Sequence, residues 1–263
     1  AAGAQPGEGC SGGDAPVGDL LEVEALCAAF EGMLAVLSAI GPALMIQVRN
    51  DNNNIRKLRA AAASTGCATV RALLLAEVDA GKHLQGAALP SADAEDDATR
   101  SGGATLSDPS GAMALLWLAR SLKFTLRLTE GLLDGARDAG GSPQMLDAEL
   151  QGDEHLLVES HGAFAAELLR EQNHITSGAI KAAYDAVIRP FHSWLLRKTF
   201  DMCASQVPSF SDVVDLLGSG LGDADREVQI LADMALFCRE GSPVVAAIEA
   251  LYSDLQLEDL RRV

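Results

Sequence analysis

Apolar residues recur at helical spacing along most of the chain. Leu20, Val23, Leu26, Cys27, Phe30, Leu34 and Leu37 mark one face of a helix that begins near Asp19. Gly41-Pro42 closes it, because proline lacks an amide N–H and is best placed in the first turn of the next helix. The second pattern runs over 42–64, with Leu44, Val48, Ile55, Leu58 and Ala62 as its stripe, and Thr65-Gly66 ends it. A third helix covers 68–82. Residues 84–110 then lose the period and gather Gly, Pro, Ser and the acidic cluster Asp93, Glu95, Asp96 and Asp97, which predicts a mobile surface loop. The period returns over 110–137 through Leu115, Leu118, Leu122, Leu126 and Leu132, and Gly140-Gly141-Ser142-Pro143 breaks it. A less regular helical pattern occupies 153–170. A long helix is predicted over 176–207, stopped by Pro208, and Ser211 caps a short one ending near Gly218. Helices over 223–239 and 243–260 follow.

No segment alternates apolar and polar residues for long enough to make a strand, and no repeat has a solenoid period. The pattern therefore predicts one all-α domain over 19–263, its helices packed in layers, behind a disordered Gly-, Pro- and Ala-rich lead-in at 1–18. Composition sharpens this. Apolar residues make up 48% of the 263 but aromatics only 4%, so the core is built from Leu, Ala, Val and Ile, which suits helix-on-helix packing.

The formal charge of −17, without a basic stripe, argues against a nucleic-acid partner. The five cysteines are an odd number with no C-x-x-C, so neither a disulfide framework nor a zinc site is indicated, and a reducing, cytoplasmic setting is expected. No uninterrupted apolar run reaches bilayer length, and no signal peptide is visible. His83, His155, His161, His174 and His192 lack ligand spacing, so no metal or cofactor is expected. There is no G-x-S-x-G, phosphate loop or H-E-x-x-H, and nothing argues for an enzyme.

Three runs carry candidate chemistry. The first is Arg49-Asn50-Asp51-Asn52-Asn53-Asn54-Ile55-Arg56-Lys57-Leu58, whose asparagines are unfavourable in a helix interior. At about 100° per residue, Asp51, Asn54 and Lys57 fan along one side, and Asp51 falls within the apolar stripe. A helix break or a solvated polar face explains the asparagines equally well. The second run is Leu115-Leu116-Trp117-Leu118-Ala119-Arg120-Ser121-Leu122-Lys123-Phe124. A tryptophan in such a helix is more often core than ligand platform, although a flat indole stacks well under a sugar ring and Arg120 shares its side. The third is Arg189-Pro190-Phe191-His192-Ser193-Trp194-Leu195-Leu196-Arg197-Lys198, read as the middle of a long helix kinked at Pro190. Alone, His192 reads as a structural residue on an apolar face.

Taken in order, the three runs resemble the glycolipid transfer protein family. Tyr184-x7-His192-Ser193-Trp194 is similar to its His-x-Trp helix, the Trp117 run to its Trp-bearing helix, and Asn54-Ile55-Arg56-Lys57-Leu58 to its Asn-Ile-x-Lys run. The resemblance covers 19–263, apart from insertions near 84–110 and 139–175.

The resemblance implies a two-layer helical sandwich that holds one sphingolipid, chains in an apolar cavity and head group at a polar surface site, and moves it between membranes. Trp117 would lie under the first sugar, Asn54 and Lys57 would bond its hydroxyls, and His192 would donate to the ceramide amide carbonyl. An acidic residue would accept the amide N–H. The family's aspartate falls four residues before the asparagine, where this chain has Asn50, so either Asn50 or Asp51 takes that place; the upstream match favours Asp51. Trp194 would face the membrane, met transiently by a cytoplasmic, peripheral protein. Relatives that carry ceramide phosphate have cations at the positions of Trp117 and Asn54, so an uncharged sugar is expected here. Arg120 and Lys57 keep a ceramide-1-phosphate carrier open as the alternative, alongside a lipid sensor that binds without transfer. Protein partners stay unknown.

Overall fold

Helix α1 (Val23–Ile40) opens the structure, a computed structural model that describes residues 21–40, 44–84, 104–138, 175–204, 207–222 and 226–262. It is followed by α2 (Met45–Thr65), α3 (Val70–Asp79), α4 (Gly111–Asp138), α5 (Ile175–Val187), α6 (Trp194–Ala204), α7 (Phe210–Leu217) and α8 (Arg226–Asp254). Among the described residues there is no strand. The helices form a two-layer, all-α sandwich. The expected lead-in at 1–18, the acidic cluster at 93–97, the helix at 153–170 and most of the insertion at 139–175 lie outside the described residues.

Helix α4 is the centre. Eighteen of its 28 residues are buried, a pattern only possible for a helix covered on nearly every side. It packs against α2, α5 and α8, while α1 packs on α2 and α7 bridges α1 and α8. Leu26, Cys27, Phe30, Leu34 and Leu37 of α1 are all buried in the core. By length and composition alone α1 could cross a membrane; here its apolar face is used as a core face instead.

Local signals fix the helix ends. Gly66 closes α2 at φ 70°, a left-handed conformation that glycine adopts without strain, and its N–H donates to Ala62 O. Thr69 caps α3 by accepting from Ala72 N. The cap of α7 is Ser209, not the expected Ser211: Ser209 Oγ accepts from Asp212 N, and the Asp212 carboxylate accepts from Ser209 N, so a reciprocal capping box forms two residues earlier.

Three further expectations are corrected. The predicted helix 176–207 is two helices joined by a 3-10 turn at Arg189–Phe191. Tyr184 and Phe200, which would stand about 24 Å apart along one helix at 1.5 Å per residue, stack with ring centroids 3.5 Å apart. Pro190 therefore sits in a reversal of the chain rather than a kink, where its missing N–H is no loss. Conversely, the two helices expected at 223–239 and 243–260 are one, α8, with Pro243 inside it. Ile230, Met234 and Ala235 before Pro243 and Val245, Ile248 and Leu251 after it are all buried, so packing on both sides of the proline overrides the local break signal. Finally, 104–110 is not a loose part of a surface loop. Leu106 is 1% exposed, and the stretch is bonded to the C-terminal tail.

Candidate functional site

Helix α2 puts Gln47, Asp51, Asn54 and Lys57 on one side, at intervals of three or four residues, with Asn50 next to them. Helix α4 answers with Met113, Trp117, Ser121 and Phe124. Tyr184 of α5, Ile188 and His192 on either side of the 3-10 turn, and Leu196, Thr199, Phe200 and Cys203 of α6 form a third wall. Leu106, Asp108 and Arg261 close the remaining side. Together they enclose a cavity of about 550 Å³, within the usual ~300–1,000 Å³ of small-molecule sites. Asp51, Asn54, Lys57, Trp117 and His192, singled out from three separate runs, thus all line one cavity.

Asp51 is only 4% exposed. Its carboxylate accepts from Ser121 Oγ, which in turn accepts from Gln47 Nε2 at 2.6 Å. Burial pushes its pKa up to about 7, and the Ser121 and Gln47 contacts pull against that rise. Asn50, the competing candidate, lines the cavity but is exposed. Lys57 Nζ lies 2.5 Å from Asp108 Oδ1.

His192 is in extended conformation (φ −94°, ψ 137°) just after the 3-10 turn. Its ring is 6.2 Å from that of Trp117, and its Nδ1 lies 3.1 Å from Tyr184 Oη. Burial, with the positive charges of Arg197 and Arg120 nearby, lowers its pKa to about 4, so the ring is neutral near pH 7. Phe191 meets Trp117 edge to face at 6.5 Å.

Arg120 is not brought to the cavity. It is buried at 8% exposure, its guanidinium lies 3.5 Å from the centre of the Phe191 ring and 4.9 Å from that of Trp117, and it donates to Asp259 O. Burial lowers its pKa to about 10. Its place is behind the aromatic pair, which it holds by cation–π contact. Trp194 lies outside the cavity lining and is 61% exposed, beside Leu195 at 65%.

Sequence reasoning missed Gln47, Ser121, Asp108 and Arg261. The first two had a signal, since each lies one helical turn from Asp51 or Trp117. Asp108 and Arg261 belong to stretches without periodicity, and their approach to Lys57 and Leu106 comes from tertiary structure alone.

The class of protein defined by this fold is the all-α lipid-transfer sandwich. The chain belongs to the glycolipid transfer protein family: the family model described as Glycolipid transfer protein (GLTP) matches residues 21–150 and 159–219. Among curated relatives, Glycolipid transfer protein B of Xenopus laevis is 25% identical over 227 residues, covering 85% of this chain and 83% of the relative. Of solved structures, that of FAPP2, which selects simple glycosphingolipids using the GLTP fold, has a TM-score of 0.61 at 20% identity and covers 92% of this chain and 90% of its own. Human ceramide-1-phosphate transfer protein in complex with 12:0 ceramide-1-phosphate has a TM-score of 0.58 at 16% identity, covering 91% and 89%. At these identities the structural likenesses carry the fold. Proteins of this family are lipid transfer proteins, not enzymes.

Proposed function

We propose that this protein binds one sphingolipid, a neutral glycosphingolipid by preference, and transfers it between membranes. The observation that carries the reading is the convergence of Asp51, Asn54, Lys57, Trp117 and His192 on one cavity. Each has a role its chemistry suits. The half-buried indole of Trp117 is a platform for a sugar ring, and Asn54 and Lys57 bond its hydroxyls. Neutral His192 donates to the amide carbonyl of the ceramide. If Tyr184 donates to Nδ1, the proton of the imidazole resides on Nε2, where it is available to that carbonyl. Asp51 takes the acidic role rather than Asn50, because a buried carboxylate with few donors gains most from the amide N–H. The chains follow the apolar lining of Leu44, Ile46, Met113, Phe124, Ile188 and Phe200, where each methylene withdrawn from water contributes about 0.8 kcal/mol.

Membrane contact is assigned to α6. Trp194 and Leu195 are exposed beside Leu196, which lines the cavity, so an apolar surface adjoins the lipid site. The four described cysteines are free, which suits a reducing, cytoplasmic compartment. No cofactor or metal is needed, since no bond is broken.

A ceramide-1-phosphate carrier is the alternative, favoured by the presence of Lys57 and Arg261 in the lining. Both already face carboxylates, Lys57 on Asp108 and Arg261 on Asp259, which weighs against it. Vesicle-to-vesicle transfer of a monohexosylceramide and of ceramide-1-phosphate decides. The glycolipid should move faster; faster movement of the phosphate lipid overturns the preference, and binding of either without transfer makes the protein a sensor.

A further inference from the structure

Asp108 has been given no ligand contact of its own, yet it lines the cavity with Asn54, Lys57 and Trp117, and its Oδ1 lies 2.5 Å from Lys57 Nζ. The two side chains are 23% and 54% exposed, so the pair stands at the wet side of the cavity.

The position of Asp108 is built, not incidental. Before it, Ala104 N donates to Glu258 O, Leu106 N to Asp259 Oδ2, and Ser107 N to Lys82 O. Arg261 donates to Leu106 O from the other side. After it, Ser110 Oγ caps α4 by accepting from Met113 N. The chain on both sides of Asp108 is therefore bonded to separate parts of the fold, which sets its carboxylate beside Lys57.

The charges of the lining then form a simple balance. Among the described residues they are Asp51, Lys57, Asp108 and Arg261, with His192 neutral. Asp108 answers Lys57, and Asp259 answers Arg261. A phosphate monoester, which carries about −1.5 to −2 charge near neutral pH, would meet Asp108 wherever it reached Lys57. A sugar meets no such conflict, because one hydroxyl can donate to the carboxylate while another accepts from the ammonium.

We infer that Asp108 sets head-group selectivity, accepting a hydroxyl of a neutral sugar and cancelling the Lys57 charge on which a phosphate head would depend. The inference rests on the cavity being the head-group site of a sphingolipid. It assigns to a residue outside the three recognised runs a decision that Trp117 and Asn54 do not make alone.

The test compares the whole chain with Asp108→Asn, which keeps the shape and removes the charge. Transfer of a monohexosylceramide and of ceramide-1-phosphate is measured between phosphatidylcholine vesicles at low and high salt. The ratio of phosphate-lipid to glycolipid transfer should rise about two- to fivefold in Asp108→Asn, the range of a partly exposed ion pair, and the rise should shrink at high salt. Trp117→Ala serves as the control for the site itself and should slow the glycolipid. If the unaltered protein moves the glycolipid, Trp117→Ala slows it and Asp108→Asn leaves the ratio unchanged or lowers both rates equally, the inference alone is overturned. If the unaltered protein moves neither lipid, or Trp117→Ala has no effect, the head-group reading fails and the inference falls with it.

Discussion

Tyr184 Oη stands 3.1 Å from His192 Nδ1, eight residues on and beyond a reversal of the chain. The same tyrosine ring stacks on Phe200 of α6, and Arg197 Nε donates to His192 O at 2.9 Å. The orientation of His192 is thus set from both sides of the turn. Tyr184→Phe keeps the ring stack and removes only the hydroxyl. Glycolipid affinity should fall about fivefold, the equivalent of about 1 kcal/mol for one hydrogen bond, with little change in the unfolding temperature. Tryptophan quenching on titration with lipid measures it; unchanged affinity would mean that the imidazole does not need this partner.

Asp51 makes stability depend on pH in a direction opposite to that of a paired surface carboxylate. Burial raises its pKa from the ordinary 3.8 to about 7, against the pull of Ser121 and Gln47. Between those values the folded chain keeps a proton that the unfolded chain has lost. The contribution of this group to stability is therefore full below 3.8, declines as pH rises to about 7, and is level above it. Asp51→Asn lacks this decline. The melting temperature of the ligand-free protein minus that of Asp51→Asn should fall across this window; a constant difference would contradict the raised pKa.

Glu77, 2% exposed, ties α3 to the start of α4. Its two carboxylate oxygens accept from Gly111 N and Ala112 N, each at 2.8 Å, and Lys82 Nζ stands 3.1 Å away. Glu77→Ala leaves buried donors without partners and should cost about 3 kcal/mol in denaturant unfolding. Glu77→Gln, which retains one acceptor, should cost less. Equal losses in the two variants would show that side-chain volume is not what matters there and that both carboxylate oxygens are needed together, the single amide oxygen recovering nothing.

Trp194 separates binding from delivery. It is exposed and lines no part of the cavity. Trp194→Ala should slow transfer between vesicles several-fold and change the affinity for lipid presented in solution by less than about twofold, since only interfacial burial is lost. Equal losses in both measurements would place the indole in the ligand site.

Much of this arrangement could be read from the chain. Helix α4 was legible because its period runs unbroken for 28 residues, and α2 because Val48, Ile55 and Leu58 keep the stripe through the asparagines. The inward position of Asp51 followed from the same phase. The reversal at 188–193 was not legible: Ile188 and Phe191 continue the helical spacing, and only the Tyr184–Phe200 stack, a contact between side chains sixteen residues apart, reveals the fold-back. Arg120 was read toward the site because it follows Trp117 by three positions, but such spacing cannot tell which side of the indole a guanidinium takes; Phe191 and the Asp259 carbonyl decide that. The continuity of α8 through Pro243 goes with burial of its residues on both sides of the proline, again a tertiary fact.

The tail after α8 has a practical consequence. Asp259 and Arg261 are bonded to Leu106, and Arg261 lines the cavity. A bulky label placed on Arg261 would therefore stand at the ligand site and pull on the stretch that carries Asp108. No residue of α1 lines the cavity. Labels intended for transfer measurements belong on the exposed face of α1, at positions such as Val36, where they leave the berth of the lipid unaltered.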